Sequence, residues 1–435
     1  MRPRRHGGPA CAGGRGPQEE VARTDDARRD ARTVVLSLRG ASRRVWLASQ
    51  FEFEDVVADV DDVRLLAPPG RATGPVADAL HGGANRLRRG LGRPRRRQLV
   101  TQTSATEAEL FFAVFAAPHE IGALPHVRAQ VERSAVKVAF IVELWRPWLP
   151  AVTDYLRQLR GFDHVFLFNR GSLADVEAIT GVPTSYLPTA VDALRFAPSL
   201  PSPERVIDVT SYGRRLPETH AALRRAAGPG GLFYHYDTVA GAFDVEDHVE
   251  HREALAATLQ RSRYSVVYRN NDEPIRLPRT AGEESLTNRY FEVAASGAVM
   301  LGTAARTPDF DACFDWPDAI VPIAAPAPDV AEVIAALDAD PARLERAGRA
   351  GITHSLRRHD WAHRWREILT TVGVEPRPGL AARLAALEAR ATAHEAAGEP
   401  VDAVSGSGVA AQRIGAGSPV SSRTLPDSSK GSESG

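Results

Sequence analysis

The stretch GEESLTNRYFEVAASGAVML, Gly282 to Leu301, runs from two adjacent acids through an amphipathic segment to a glycine and a short apolar run. Leu286, Tyr290, Val293, Ala294 and Gly297 fall at i, i+4, i+7, i+8 and i+11, so one face of a helix meets a sheet. Gly297 is placed to stop that helix, and AVML behind it reads as a strand. Glu284 stands at the expected helix start, where the macrodipole favours a carboxylate, and Glu292 stands in its middle.

Outward from this unit, short apolar runs alternate with amphipathic segments, the pattern of βαβ units around parallel sheets. Before it, TVVLSL, DVRLLAP, ELFFAVFAAP, VKVAFIVELW, HVFLFN and TSYLP read as six strands. The segment RFAPSLPSPER then interrupts the pattern with Pro198, Pro201 and Pro203 and reads as a linker. After it, VIDVTSYG, GLFYHYD, YSVVYRN, AVMLG and AIVPI resume as strands, with helices at ETHAALRRAAG and EDHVEHREALAATLQRS. The expectation is an α/β chain of two Rossmann-like domains facing each other across a cleft. Their bounds are an N-terminal domain over 32–198, a hinge at 199–204, a second domain over 205–352 and closing helices over 353–398. Residues 1–31 and 399–435 lack apolar periodicity and are expected to be disordered tails.

The chain has 435 residues with 54 basic and 54 acidic side chains, and this balance argues against a protein that coats nucleic acid. Only Lys137 and Lys430 are lysines, so arginine abundance reflects a general bias and is discounted as a signal. Cys11 and Cys313 are far apart and imply neither a disulfide framework nor a cysteine metal site. No apolar run approaches a membrane span, and the basic N-terminus lacks a signal core. The expectation is a soluble, cytoplasmic protein.

Two glutamates eight residues apart on a helix lie about 12 Å apart. Free N–H groups at Ser285, Leu286 and Thr287 would then form an anion site at the helix start. Such a helix suits a sugar hydroxyl, a diphosphate and a ribose together. The plain alternative is one N-terminal acid and one solvated acid on a surface helix.

The stretch resembles the E-x7-E element of GT-B glycosyltransferases, and more narrowly the group 1 glycosyltransferases related to the spore-protein CgeB type. TSYLPTAVDALRFAP, VIDVTSYGRR and DADPARLERAGRAGITHSLRRHDWAHRWREIL resemble other parts of that family, covering most of Thr184 to Leu369. The resemblance implies a nucleotide-sugar donor on the second domain and an acceptor on the first, with no cofactor and no metal. By position, Glu292 would bind the ribose, Glu284 the donor sugar's hydroxyls, and Arg214 the diphosphate. His220 stands where the family commonly has a lysine, and Arg279 is a candidate to supply the missing charge. Arg289 is a further candidate, with structural pairing on the helix as its plain role. The resemblance also implies that the last helices cross back to brace the first domain.

Acceptor activation by a side chain would fall to His119, with Glu120 and Glu143 as further candidates at the ends of predicted strands. Other readings are a sugar-nucleotide epimerase on the same fold, which would act without an acceptor, and a non-catalytic sugar-nucleotide-binding protein. Asn85 to Gln98 carries Arg86, Arg88, Arg89, Arg93, Arg95, Arg96 and Arg97. These residues could give weak peripheral contact with an anionic membrane, although a solvated loop is the plainer reading. His359 and His363 are spaced like ligands on a helix, but Trp361 and Trp365 beside them point to packing. No phosphate-loop or nucleophile-elbow motif is present.

Overall fold

The computed structural model describes residues 31–70, 83–88, 98–238, 243–273 and 277–398. Six strands pair in parallel: β1 (Thr33–Leu36), β2 (Val63–Leu66), β3 (Ala108–Phe115), β4 (Ser134–Ile141), β5 (His164–Leu167) and β6 (Thr184–Tyr186). Their order across the sheet is β2-β1-β3-β4-β5-β6. A second parallel sheet holds β7 (Ile207–Ser211), β8 (Tyr234–Tyr236), β9 (Ser262–Val267), β10 (Val299–Gly302) and β11 (Val321–Pro322), ordered β8-β7-β9-β10-β11. All eleven predicted strands are present. Their runs are nearly continuous in apolar residues because helices cover both faces of each sheet.

Both sheets begin with the same reversal. The second strand lies on one side of the first, and all later strands lie on the other. The reversal points, β1/β3 and β7/β9, are where open α/β sheets form crevices at their carboxyl ends.

Seven helices build the core and carry the site: α1 (Ala48–Val60), α2 (Pro217–Ala226), α3 (His248–Gln260), α4 (Asn288–Ser296), α5 (Pro341–Arg358), α6 (Trp361–Val372) and α7 (Pro378–Ala396). One apolar cluster runs from Phe112 and Phe140 of the first sheet through Phe53 of α1, then Tyr290 and Val293 of α4, to Trp361 and Trp365 of α6. The two halves therefore share a core. The outer face of each sheet has a separate cluster.

The closing helices lie against the first domain. The Trp361 ring stacks on Phe53 at 4.5 Å, and its indole N–H donates to Glu52 at 3.1 Å. Trp365 packs on Phe112 and donates to Asp61 at 3.2 Å. From α7, Arg383 pairs with Asp192 at 2.6 Å. The link between the domains, about residues 197–206, is irregular, as its prolines predict.

The opening helix starts later than its periodicity suggests. Residues 281–287 are not helical, and α4 begins at Asn288. Ala281 and Gly282 adopt positive φ, and Glu284 is drawn away by its own ion pair. At the other end, Gly297 takes the left-handed conformation (φ 72°) that closes the helix, as expected.

Candidate functional site

The carboxyl ends of the two sheets enclose a cavity of about 320 Å³. Its walls come from loops that the strand order brings to this edge. From the first domain come Trp46, which follows β1, Val142, Glu143 and Trp145, which follow β4, and Phe168 and Asn169, which follow β5. The second domain contributes Arg214 after β7, Asn270 after β9, and the segment Ser285–Arg289 that leads into α4. The β7/β9 reversal point thus opens directly onto the cavity.

Gly213 explains how Arg214 is delivered there. It has φ 67°, a left-handed turn at the end of β7, and its N–H donates to Asp237 at 3.0 Å. Arg214 then donates to Asn270 at 2.9 Å, joining the loops on either side of the reversal. Arg289 donates to the Arg214 carbonyl at 3.1 Å and is itself buried. Two guanidinium groups therefore belong to the second-domain wall, and behind it Arg214 pairs with Glu273 at 3.7 Å. The first-domain wall has one carboxylate among its described residues, Glu143, which accepts from the Trp145 indole at 2.8 Å, and no arginine or lysine.

Among the described residues of the cavity, two buried polar atoms have no partner. Asn169 accepts at Oδ1 from Leu144 N–H at 2.8 Å, but its Nδ2 is unpaired. On the facing wall, the Thr287 hydroxyl is also unpaired. Buried polar groups are nearly always satisfied, so these two atoms are exceptions on residues that line the cavity.

Of the predicted residues, Arg214, Ser285, Leu286 and Thr287 come together at this cavity, with the further candidates Arg289 and Glu143. Glu284 and Glu292 do not line it. Glu284 pairs with Arg269 at 3.2 Å and accepts from Arg306 N–H at 2.6 Å. Glu292 is 4 % exposed, accepts from the Tyr212 hydroxyl at 2.8 Å and pairs with Arg252 of α3 at 2.5 Å. Arg252 in turn pairs with Glu52 of α1 at 2.7 Å, so a Glu–Arg–Glu chain crosses between the domains. Burial alone would lower the Arg252 pKa, yet the two carboxylates raise it above the ordinary arginine value. Burial and the charge of Glu292 push the Tyr212 hydroxyl well above its ordinary pKa.

His119 is exposed on the turn after β3 and does not line the cavity; its neighbour Glu120 points inward and accepts from Ala116 N–H at 2.7 Å. Arg279, also exposed, lies 5.7 Å over the Trp148 ring, outside the cavity. His220 of α2 packs on Tyr234 and Tyr236, its Nδ1 2.9 Å from the Tyr234 hydroxyl, and burial and then Arg215 lower its pKa. It does not stand in for a phosphate-binding lysine at the cavity. His359 is buried with its Nε2 2.8 Å from the Cys313 carbonyl, and His363 contacts the Leu356 carbonyl, so both serve packing. Arg86 and Arg88 lie on a short helix at 83–88, whereas Arg89, Arg93, Arg95, Arg96 and Arg97 fall outside the described residues, as do 1–30 and 399–435. Among the described residues no helix is long and apolar enough to cross a membrane.

Residues 208–370, which include all of β7 but its first residue, β8 to β11 and the second-domain wall, match a family model described as glycosyl transferase-like. The match is confined to this segment of the chain. No curated protein sequence matches the chain. Among solved structures, it is similar to an alpha-glucosyltransferase in complex with UDP and a 13-mer DNA containing an HMU base. The identity is 10 %, the match covers 79 % of this chain and 99 % of that one, and the TM-score is 0.50. That likeness speaks for the fold, two parallel-sheet domains in the GT-B arrangement. A trehalose-6-phosphate synthase is 11 % identical over 80 % of this chain and 100 % of that one, TM-score 0.45. A UDP-forming trehalose-phosphate synthase from Burkholderia vietnamiensis is 11 % identical over 76 % and 84 %, TM-score 0.40. The segment that matches the family model supplies the cationic wall, and the first domain supplies the wall opposite.

Proposed function

We propose that this chain transfers a sugar from a nucleotide-diphosphate sugar to an acceptor hydroxyl. The carrying observation is the division of charge across the cavity: Arg214 and Arg289 on the glycosyltransferase-like wall, Glu143 on the other. In the transfer, the bond from the sugar's anomeric carbon to the diphosphate oxygen breaks and a bond to the acceptor oxygen forms. Negative charge collects on the departing diphosphate, where two preorganised guanidinium groups stabilise it. Glu143 accepts a hydrogen bond from the acceptor hydroxyl, holds it in line and takes its proton as the new bond forms, its own carboxylate steadied by the Trp145 N–H. Ser285, Leu286 and Thr287 position the donor from the approach to α4.

Glu292 and Glu284 act one step behind this wall. Glu292 sets Tyr212 directly beside the turn that carries Arg214, and Glu284 fixes Arg269 and the Arg306 backbone. The finer placement with the CgeB type rests on the motifs of the second half, as does the choice of a hexosyl donor. A cytoplasmic setting agrees with the absence of any cysteine framework.

The test is a thermal-shift screen against UDP, GDP, ADP, TDP and their sugar conjugates, since a ligand of the folded state raises apparent stability. One nucleotide family should raise the melting point, and Arg214→Ala should abolish the rise. No shift with any of them overturns the donor reading.

A further inference from the structure

The two walls of the cavity also meet along its rim, through a side chain that neither wall uses inside. The second-domain wall Ser285–Arg289 follows a turn in which Ala281 and Gly282 take φ of 52° and 79°. Asn271 pins this turn from its own domain, its Nδ2 donating to the Gly282 carbonyl at 3.0 Å and to the Glu283 carbonyl at 3.2 Å. Asn271 follows Asn270, the partner of Arg214, so the turn is tied to the cationic wall.

From this turn the Glu283 side chain crosses to the first domain. Its Oε1 accepts from Gly171 N–H at 3.1 Å. Gly171 lies in a short turn, Arg170–Ser172, that runs straight into a helix at Leu173–Thr180. Arg146 opens an equivalent turn, Arg146–Trp148, ahead of a helix at Leu149–Leu156. The first N–H groups of such runs lack partners within the helix and carry partial positive charge. Burial raises the Glu283 pKa, and the Gly171 and Arg146 N–H groups, in that order, pull it back. A second-domain carboxylate thus rests at the starts of two first-domain helices. Gly171 leaves room for it, because a Cβ there would fall 2.5 Å from Glu283 Oε1. Beside this bridge, Arg170 donates to Asp309 of the second domain at 2.7 Å.

The neighbours of the bridge are the cavity itself. Trp145 precedes Arg146, Asn169 stands two residues before Gly171, and Ser285 stands two residues after Glu283; all three line the cavity. The Glu52–Arg252–Glu292 chain already joins the domains in the buried interior, whereas Glu283 is only half-buried. Holding the domains together therefore falls to the buried chain, and the bridge is left to fix the rim.

Resting on the transfer reading above, we infer that Glu283 is a positioning residue: its carboxylate spans the cleft and sets the gap between the walls, so that donor and acceptor oxygen meet in line. In-line transfer is steep in distance, so a rim that drifts costs rate, while a donor held by the second-domain wall keeps its affinity.

The experiment uses the full chain with the nucleotide sugar found by the thermal-shift screen. Transfer is measured to methyl glucoside, a disaccharide, glucose 6-phosphate and p-nitrophenol, or to water where none of them is used. In parallel, mass spectrometry follows amide exchange of the peptide around Gly171. Glu283→Ala should lower kcat about tenfold, with donor Kd by calorimetry unchanged within about twofold. Exchange around Gly171 should quicken, while the melting temperature stays within about 2 °C of the wild type. Gly171 does not have positive φ, so alanine suits its backbone. Gly171→Ala should displace the carboxylate from the other side and give the same loss of kcat. The double variant should lose no more than either single one, a non-additivity that two unrelated structural defects would not show. Unchanged kcat in both single variants, losses that multiply in the double variant, or unchanged exchange around Gly171 in Glu283→Ala overturns the positioning role. A wild-type chain that binds no nucleotide sugar sinks the transfer reading alone, because the exchange difference still shows whether the carboxylate bridges the cleft.

Discussion

Two polar clusters sit within the same shared interior, and they differ in whether their bonds are closed. Behind the cavity, Glu52, Arg252, Glu292 and Tyr212 satisfy one another across the domain boundary, and Trp361 adds a donor to Glu52. At the cavity, Asn169 Nδ2 and Thr287 Oγ1 have no partners among the described residues, and the charges are sorted by wall. A closed network holds the domains in register, because breaking it strands a buried charge. The other leaves polar atoms unsatisfied on residues that line the cavity.

The sharpest way to break this contrast is Arg252→Ala. It leaves Glu52 and Glu292 facing each other without a cation, and stability should fall by about 3–5 kcal/mol. Urea unfolding followed by tryptophan fluorescence measures this; a change below about 1 kcal/mol would deny the cluster its structural role. Arg214→Ala should do the reverse. Donor affinity by calorimetry should fall by about 1.5–3 kcal/mol, the range for hydrogen bonds to charged groups, with little change in urea midpoint.

Glu292→Gln separates the clusters further. The amide keeps an acceptor for Tyr212, and Arg252 keeps Glu52, so the expected stability loss is about 1–2 kcal/mol with donor affinity nearly unchanged. If donor binding vanishes while stability holds, Glu292 is a direct ligand and the two clusters are one site.

The smallest effect concerns His359 of the shared core. Burial, then Arg364, hold its pKa well below the ordinary 6.5. The unfolded chain takes up a proton below about pH 6.5 that the native chain refuses, so stability is lost as pH falls through that value. The urea midpoint should drop between about pH 7 and pH 5.5, and less steeply in His359→Gln, a difference of about 1 kcal/mol. Equal slopes would show that His359 charges in the native state.

Much of the fold was legible locally. Runs such as ELFFAVF and VKVAFI are apolar on both sides because their strands are covered on both faces, and no longer-range fact is needed to recognise them. Helix α1 was harder to read, since ASQFEFEDVVADV carries four acids, and Glu52 and Glu54 are buried only because distant arginines meet them. At the site, Arg214 and Ser285–Thr287 were readable from a turn glycine and the approach to a helix. Asn169 left a fainter trace as the polar residue that closes the run HVFLFN at a strand's carboxyl end. Trp46 left none.

What the sequence determined by itself is the alternation of strands and helices, the break at the prolines, and the helix stop at Gly297. All three arise from side-chain periodicity and backbone sterics within a few residues. Only the tertiary structure decided what each charge would do. Glu52 and Arg252 are 200 residues apart, and it is their meeting that takes Glu292 into the domain interface. The facing of the two carboxyl edges likewise makes separate loops into opposite walls of one cavity. Contacts at such separation leave no periodic mark, because loop closure is indifferent to the local pattern on either side of it.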